Sequence, residues 1–306
     1  MTLRDLIDLR NQLDTVFDVS SIQHVLDTNA AKLRQLASDN PSYKTMLEFV
    51  AAQHLTLMDR IQLDRMHLQQ VIDKVHQDVD TATAKYFQDD YQLRPTNPAH
   101  VRDIRHLGIP DLAIQSLESR INLHSQWKYP CLEIGCDRGF WTHSLVASDP
   151  LYLADYYDEL LEAAISQFEP IYQSRVRRYR IDDYRINGLP ENQFGFIFSF
   201  NFFNYLSLKH IKNFLSDAMH WLRPGGTMLF TYNNADIPAA AGYAESHFMS
   251  YAPKSLLVAM CHELGFEVEQ THDYEPAFSW IEIRKPGVLD TVKAAQVLGE
   301  IKHHTS

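Results

Sequence analysis

Apolar side chains recur at helical spacing through the first hundred residues. A break with a fresh N-cap is expected at Val19–Ser21, followed by a second helix from about 21 to 37 that stops near Pro41. The first helix places its apolar face on Leu3, Leu6, Leu9 and Leu13. The chain therefore begins with a helical region.

Residues 42–87 contain neither glycine nor proline, which predicts one long helix. Its apolar stripe advances by alternating steps of four and three residues, as in a coiled coil. The stripe consists of Leu47, Ala51, His54, Met58, Ile61, Arg65, Leu68, Ile72, Val75, Val79, Ala82 and Tyr86. Two partners could cover it: the preceding helices folded back, or the same helix of a second subunit in a homo-oligomer.

The pattern changes after a proline-containing connector and a helix that ends near Gln126. Short β-rich runs then alternate with helical segments, the first of which is expected to reach about Val146. The predicted strands cover residues 130–134, 151–154, 176–181, 194–200, 227–232, 267–271 and 278–284. This alternation predicts an α/β fold, with a doubly wound, mostly parallel seven-stranded sheet and an antiparallel edge hairpin, preceded by the α-helical N-terminal region.

These patterns divide the chain into four parts. Residues 1–95 form a helical region that could serve as a coiled coil or oligomerisation arm, and 96–127 form the connector and its helix. Residues 128–287 form the α/β domain, and 288–306 form a C-terminal helix or tail.

Composition and charge narrow the functional classes. The 306 residues carry a net charge of −11, so binding to nucleic acid is not expected. No apolar run is long enough to span a membrane, and the N-terminus does not resemble a signal peptide. Three cysteines cannot form a disulfide framework, and no metal site is expected. These features predict a cytoplasmic protein.

A glycine-containing turn follows the first predicted strand, over Cys131–Thr142. Glycine after a parallel strand lets bare backbone approach a ligand in the crevice at the strand ends. A dinucleotide-binding fingerprint would require glycine at positions 137 and 140, where the sequence has Asp137 and Phe140. The Gly-Lys-Ser/Thr sequence of a phosphate-binding loop is also absent.

The segment Leu132–Gly139 resembles the first motif of class I S-adenosylmethionine-dependent methyltransferases. Glu133, Gly135 and Gly139 match the pattern Glu/Asp-x-Gly-x-Gly-x-Gly, whereas Asp137 replaces its middle glycine.

The resemblance continues in the same order over residues 128–286. Asp155 ends the second strand, 22 residues after Glu133, where a carboxylate accepts hydrogen bonds from ribose hydroxyls. The family pattern implies that Asp182 or Asp183 lies near the adenine amine, and Asn201 follows the fourth strand. Gly195 departs from the family by replacing an aspartate. The other matching segments are 189–194, 221–230 and 251–268.

The resemblance implies methyl transfer from S-adenosylmethionine to an acceptor by in-line displacement, with the acceptor over the carboxyl ends of the strands. No catalytic residue is assigned, because a base is needed only if the acceptor arrives protonated. The candidate acceptor contacts are Asn204, Tyr205, Tyr232 and Asn233. The alternative is a structural or assembly protein that uses this fold as a scaffold, with the long helix as its interaction element.

We predict that Asp155→Ala weakens cofactor binding at least tenfold, about 1.4 kcal/mol, because the ribose loses its hydrogen-bond acceptor. Calorimetric titration of the full chain with S-adenosylhomocysteine measures this. Unchanged affinity would contradict the ribose role of Asp155.

Overall fold

The computed structural model describes residues 2–16, 19–96 and 108–288. The chain forms two compact units, Met1–Asp78 and Val79–Ser306. The expected connector falls partly, and the expected C-terminal tail almost wholly, outside the described residues. No helix among the described residues is both long enough and apolar enough to cross a membrane.

The first unit consists of three helices, of which the third continues into the second unit. They are α1 (Leu3–Val16), α2 (Val19–Asp39) and α3 (Lys44–Leu93). Within this unit α1 lies against α3, because the Arg10 guanidinium donates to the Gln69 amide oxygen at 3.2 Å and Arg65 pairs with Asp14 at 2.5 Å. α1 thus covers part of the predicted stripe, at Arg65.

Another face of α3 leaves large apolar side chains exposed within the first unit. They are Met46, Phe49, Leu57, Leu63 and Met66. Burying such side chains is favourable, so self-association through α3 stays a prediction.

The second unit alternates strands and helices. Its strands are β1 (Cys131–Ile134), β2 (Leu151–Asp155), β3 (Val176–Asp182), β4 (Arg185–Ile186), β5 (Phe194–Ser199), β6 (Leu222–Tyr232), β7 (Glu267–Tyr274) and β8 (Phe278–Arg284). Its helices are α4 (Asp111–His124), α5 (Asp158–Ile165), α6 (Pro170–Gln173), α7 (Leu208–Trp221), α8 (Pro238–Glu245) and α9 (Lys254–Glu263).

The strands form one eight-stranded sheet in the order β4-β3-β2-β1-β5-β6-β8-β7. β1 pairs in parallel with β2 and with β5, so the carboxyl ends of these three strands meet at one edge. β7 and β8 form the predicted antiparallel hairpin. The two-residue strand β4, which adds to the seven predicted strands, pairs antiparallel to β3.

Core residues lie on both faces of the sheet. In β5, Phe196 and Phe198 pack in one buried cluster, while the intervening Ile197 packs in another. This alternation is what a doubly wound sheet requires, since successive side chains of a strand point to opposite faces.

Two segments differ from the predicted elements. The helix expected to reach about Val146 is only a 3-10 turn at Thr142–Leu145, because Gly139 and Pro150 leave a short stretch that favours helix. The strand predicted at 227–232 begins earlier, because β6 starts at Leu222 and includes Pro224, Gly225 and Gly226.

Two buried glutamates of the sheet lie in contrasting environments. Glu282 contacts both Arg120 and His124, and although burial opposes ionisation, these hydrogen bonds lower its pKa. Among the residues that the structure describes, Glu133 has no cationic partner, and its carboxyl group accepts a hydrogen bond from the Thr142 hydroxyl at 2.6 Å. Burial therefore raises the pKa of Glu133 to about 8.

We predict that Glu133 makes stability fall as pH rises. Its folded pKa lies above the unfolded value, so the stabilisation is complete below about pH 4.5 and is lost as pH rises through about 8. Urea unfolding at pH 5.5, 7.0 and 8.5 should show wild type losing on the order of 1 kcal/mol per pH unit relative to Glu133→Gln.

The exposed Glu162→Gln serves as the matched control and should keep the wild-type slope. Equal slopes for wild type and Glu133→Gln would mean that Glu133 is already ionised in the folded protein.

Candidate functional site

The turn after β1 is held in backbone conformations that favour glycine. Gly135, Asp137 and Gly139 have φ of +71°, +48° and +85°. A Cβ added at Gly135 would stand 2.7 Å from the ring of Phe202, so the turn and this ring are in close contact. Only glycine fits the first position without a clash.

Asp155, at the carboxyl end of β2, is fully buried. Its carboxylate accepts hydrogen bonds from the backbone amide of Asp137 at 2.8 Å and from that of Tyr156 at 2.7 Å. Burial raises the pKa of Asp155 to about 6, while these amides act in the opposite direction. The acidic residue predicted from its spacing thus lies beside the glycine turn of β1.

The end of α3 supplies two further residues of this site, which the sequence analysis did not identify. The Tyr91 hydroxyl lies 3.1 Å from each carboxylate oxygen of Asp155. The Arg94 guanidinium donates to Asp137 at 3.0 Å and also pairs with Asp90. Tyr91 and Arg94 are both buried.

A local signal for this contact exists in the sequence, but it lies off the predicted stripe. The stripe runs through Val79, Ala82 and Tyr86, whereas the buried side chains follow a four-residue spacing at Thr83, Phe87 and Tyr91. The buried face of α3 therefore shifts to an adjacent face of the helix near its C-terminal end. A heptad pattern with a constant register does not predict this shift.

Two cavities adjoin Tyr91. The first, of about 70 Å³, is lined by Glu133, Gly135, Asp137 and Asn201, among others. The second, of about 330 Å³, is lined by Tyr156, Tyr157 and Asp183. Because Tyr91 lines both cavities, its side chain stands between the first-motif residues and Asp183.

Several buried polar atoms around this crevice have no hydrogen-bond partner within the described part of the chain. They are Asp137 Oδ1, Arg138 Nε, Trp141 Nε1 and Tyr156 Oη. Buried polar atoms usually have partners, so these indicate capacity for a polar ligand.

The crevice has the chemistry for S-adenosylmethionine, since Asp155 can accept from ribose hydroxyls, and Glu133 and Asp183 line the two cavities that adjoin Tyr91. In the described conformation, however, Tyr91 already occupies the Asp155 carboxylate. The side chains fit the cofactor, whereas the Tyr91 hydroxyl already holds the carboxylate to which its ribose would bind.

Asp182 and Asp183 are both exposed, and the structure distinguishes them by position. Asp182 ends β3, whereas Asp183 has a φ of +44° and lines the cavity beside Tyr156 and Tyr157. Asp183 thus has the better position for a ligand of that cavity.

The predicted acceptor residues have different positions. Asn204 lines a third cavity, whereas the buried Tyr205 stacks on Phe87 with a ring separation of 5.1 Å. Tyr232 is buried, and the Asn233 amide donates to the carbonyls of Ala240 and Ser250 at 2.9 Å. The side chain of Asn233 thus holds neighbouring backbone together.

Within the described residues there is no group of three or more His, Cys, Asp or Glu side chains that could hold a metal ion. Cys131, Cys136 and Cys261 are buried free thiols.

Residues 132–228 match the sequence model of a family described as a methyltransferase domain. This segment contains β1, β2 and the site residues Glu133, Gly135, Asp137 and Asp155. No curated protein sequence matches the chain.

Among solved structures, the chain is similar to an S-adenosylmethionine-dependent methyltransferase from Mesorhizobium loti, with 13% identity, a TM-score of 0.47 and coverage of 56% of this chain and 98% of that one. It is also similar to the N-methyltransferase NodS from Bradyrhizobium japonicum in complex with S-adenosylhomocysteine, with 14% identity, a TM-score of 0.48 and coverage of 64% and 98%.

The match over 132–228 agrees with the order of the sheet and with the acidic and glycine positions at the ends of β1 and β2. Residues 132–228 therefore form part of a methyltransferase domain.

Proposed function

We propose that the chain transfers a methyl group from S-adenosylmethionine to an uncharged, largely apolar acceptor. The observation that carries the proposal is that Glu133, Gly135 and Asp155 meet at the carboxyl ends of β1 and β2, inside the segment that matches a methyltransferase domain. Ligands of open α/β sheets bind at this edge.

Each cofactor residue has a role that its position supports. Asp155 accepts hydrogen bonds from the ribose once the Tyr91 hydroxyl has moved away. Tyr156, Tyr157 and Asp183 line the cavity where an adenine would find aromatic surface and a hydrogen-bond acceptor. Glu133 lines the smaller cavity, on the side of the methionine portion.

A third cavity, of about 190 Å³, supports an apolar acceptor. Its described lining contains no charged side chain and includes Gly108, Ile109, Asn201, Asn204, Tyr243, Phe248, Met249, Pro276, Ala277 and Phe278. An ionic group placed there would lose its hydration without gaining a partner. Asn201 lines both this cavity and the one beside Gly135, so it stands between donor and acceptor.

The chemistry demands positioning more than proton transfer. When bound, S-adenosylmethionine supplies a methyl group on a positively charged sulfur, already activated towards a nucleophile. The chain must then hold the acceptor in line, which alone lowers a barrier substantially. An acceptor whose attacking atom carries no proton needs no base.

A second candidate function is a structural or assembly role in which the crevice stays permanently closed. The observation that favours it is the engagement of Asp155 and Asp137 by Tyr91 and Arg94. Both proposals include a cytoplasmic location and self-association through residues 42–87. Neither includes nucleic acid as a partner.

We predict turnover with uncharged acceptors whose attacking atom carries no proton, such as pyridines and thioethers, and little with their phosphorylated or carboxylated analogues. Ala277→Asp places a charge at the lining of the acceptor cavity and should lower kcat/KM at least tenfold, with unchanged affinity for S-adenosylhomocysteine. Mass-spectrometric detection of S-adenosylhomocysteine formed from S-adenosylmethionine measures turnover.

The neighbouring Glu275→Ala, which is outside the cavity lining, serves as the matched control. Turnover confined to charged acceptors, or full activity in Ala277→Asp, would contradict the apolar acceptor.

A further inference from the structure

The last turn of α3 reaches the residue that defines the cofactor site. The Tyr91 hydroxyl donates to the Asp155 carboxylate, which already accepts from two backbone amides. The phenol of Tyr91 and the ribose hydroxyls of a cofactor therefore compete for the same oxygens.

Arg94 forms a second contact of the same kind. Its guanidinium bonds Asp137, the residue that replaces the middle glycine of the first motif. Arg94 is itself fixed, because it lies over the Tyr91 ring at 4.3 Å and pairs with Asp90 at 3.1 Å. Asp137 thus supplies a partner for α3 at the position where other methyltransferases of this class have only backbone.

Aromatic packing holds this helix end in place. Phe87 stacks on Tyr205 with rings 5.1 Å apart and meets Phe202 edge-on at 6.0 Å. The Arg138 guanidinium donates to the backbone carbonyls of Arg94 and Pro95 at 2.9 and 3.0 Å. The contact is therefore built from packing, ion pairs and hydrogen bonds together.

The position of the two cavities that adjoin Tyr91 also indicates that its side chain occupies part of the cofactor site. Tyr91 lines both the cavity of about 70 Å³ beside Glu133 and the cavity of about 330 Å³ beside Asp183. Truncating its side chain would join these two spaces into one crevice. That crevice would extend from the first-motif residues to Asp183.

We propose that the end of α3, through Tyr91 and Arg94, is an internal competitor that must leave Asp155 before S-adenosylmethionine binds. The proposal rests on the proposed function, since a competitor is meaningful only if the site takes the cofactor. The affinity measured for the whole chain is then the intrinsic affinity reduced by the fraction of molecules whose crevice is open.

The test is calorimetric titration of the full chain with S-adenosylhomocysteine, in wild type, Tyr91→Ala and Tyr91→Phe. Tyr91→Ala should bind at least tenfold more tightly than wild type, because both the hydroxyl and the ring that divides the crevice are removed. Tyr91→Phe, which keeps the packing, should gain a smaller factor, since it loses only the hydrogen bond to Asp155.

Lys85→Ala, an exposed position on the same helix, is the matched control and should bind like wild type. Equal affinities in wild type and both Tyr91 variants would overturn the competitor while leaving the proposed function intact. Weaker binding by Tyr91→Ala would make Tyr91 a cofactor contact and would likewise overturn it. No binding by any folded variant would overturn both proposals.

Discussion

The buried carboxylate of Asp155 holds together three segments that are far apart in the sequence. It accepts the amide of Asp137 from the turn after β1, the amide of Tyr156 after β2, and the hydroxyl of Tyr91 from α3. A carboxylate removed from water must find such donors, and burial still raises the pKa of Asp155 to about 6. For a cofactor to bind in the crevice, a hydroxyl of the ligand must replace one of these donors at the Asp155 carboxylate.

The two departures from the family pattern have local physical causes. Asp137 adopts a φ of +48° and pairs with Arg94, so the side chain gains an ion pair where glycine would offer only conformational freedom. Gly195 follows the first residue of β5, and a Cβ there would stand 2.6 Å from that of Tyr129. Gly195 lies where the register of the β5–β6 pairing shifts, between Phe194 and Phe196, and only the change at Asp137 involves the cofactor crevice.

Sequence periodicity predicted the sheet well, because buried strands and amphipathic helices have distinct spacings. The resemblance to the methyltransferase family identified Glu133, Gly135 and Asp155, which lie at the ends of β1 and β2. Sequence periodicity did not find Tyr91 or Arg94, because the buried face of α3 leaves the predicted stripe near the end of the helix and their site partners Asp155 and Asp137 lie more than 40 residues away. It also placed a helix before Val146, where a glycine and a proline limit the chain to a 3-10 turn.

The most direct measurement is amide hydrogen exchange across residues 84–94, with and without saturating S-adenosylhomocysteine. If the helix end competes with the cofactor, its amides should exchange faster once the ligand displaces Tyr91 from Asp155, because a released helix end opens more often. Slower or unchanged exchange in the saturated protein would show that α3 stays in place when the cofactor binds, which would contradict the competition.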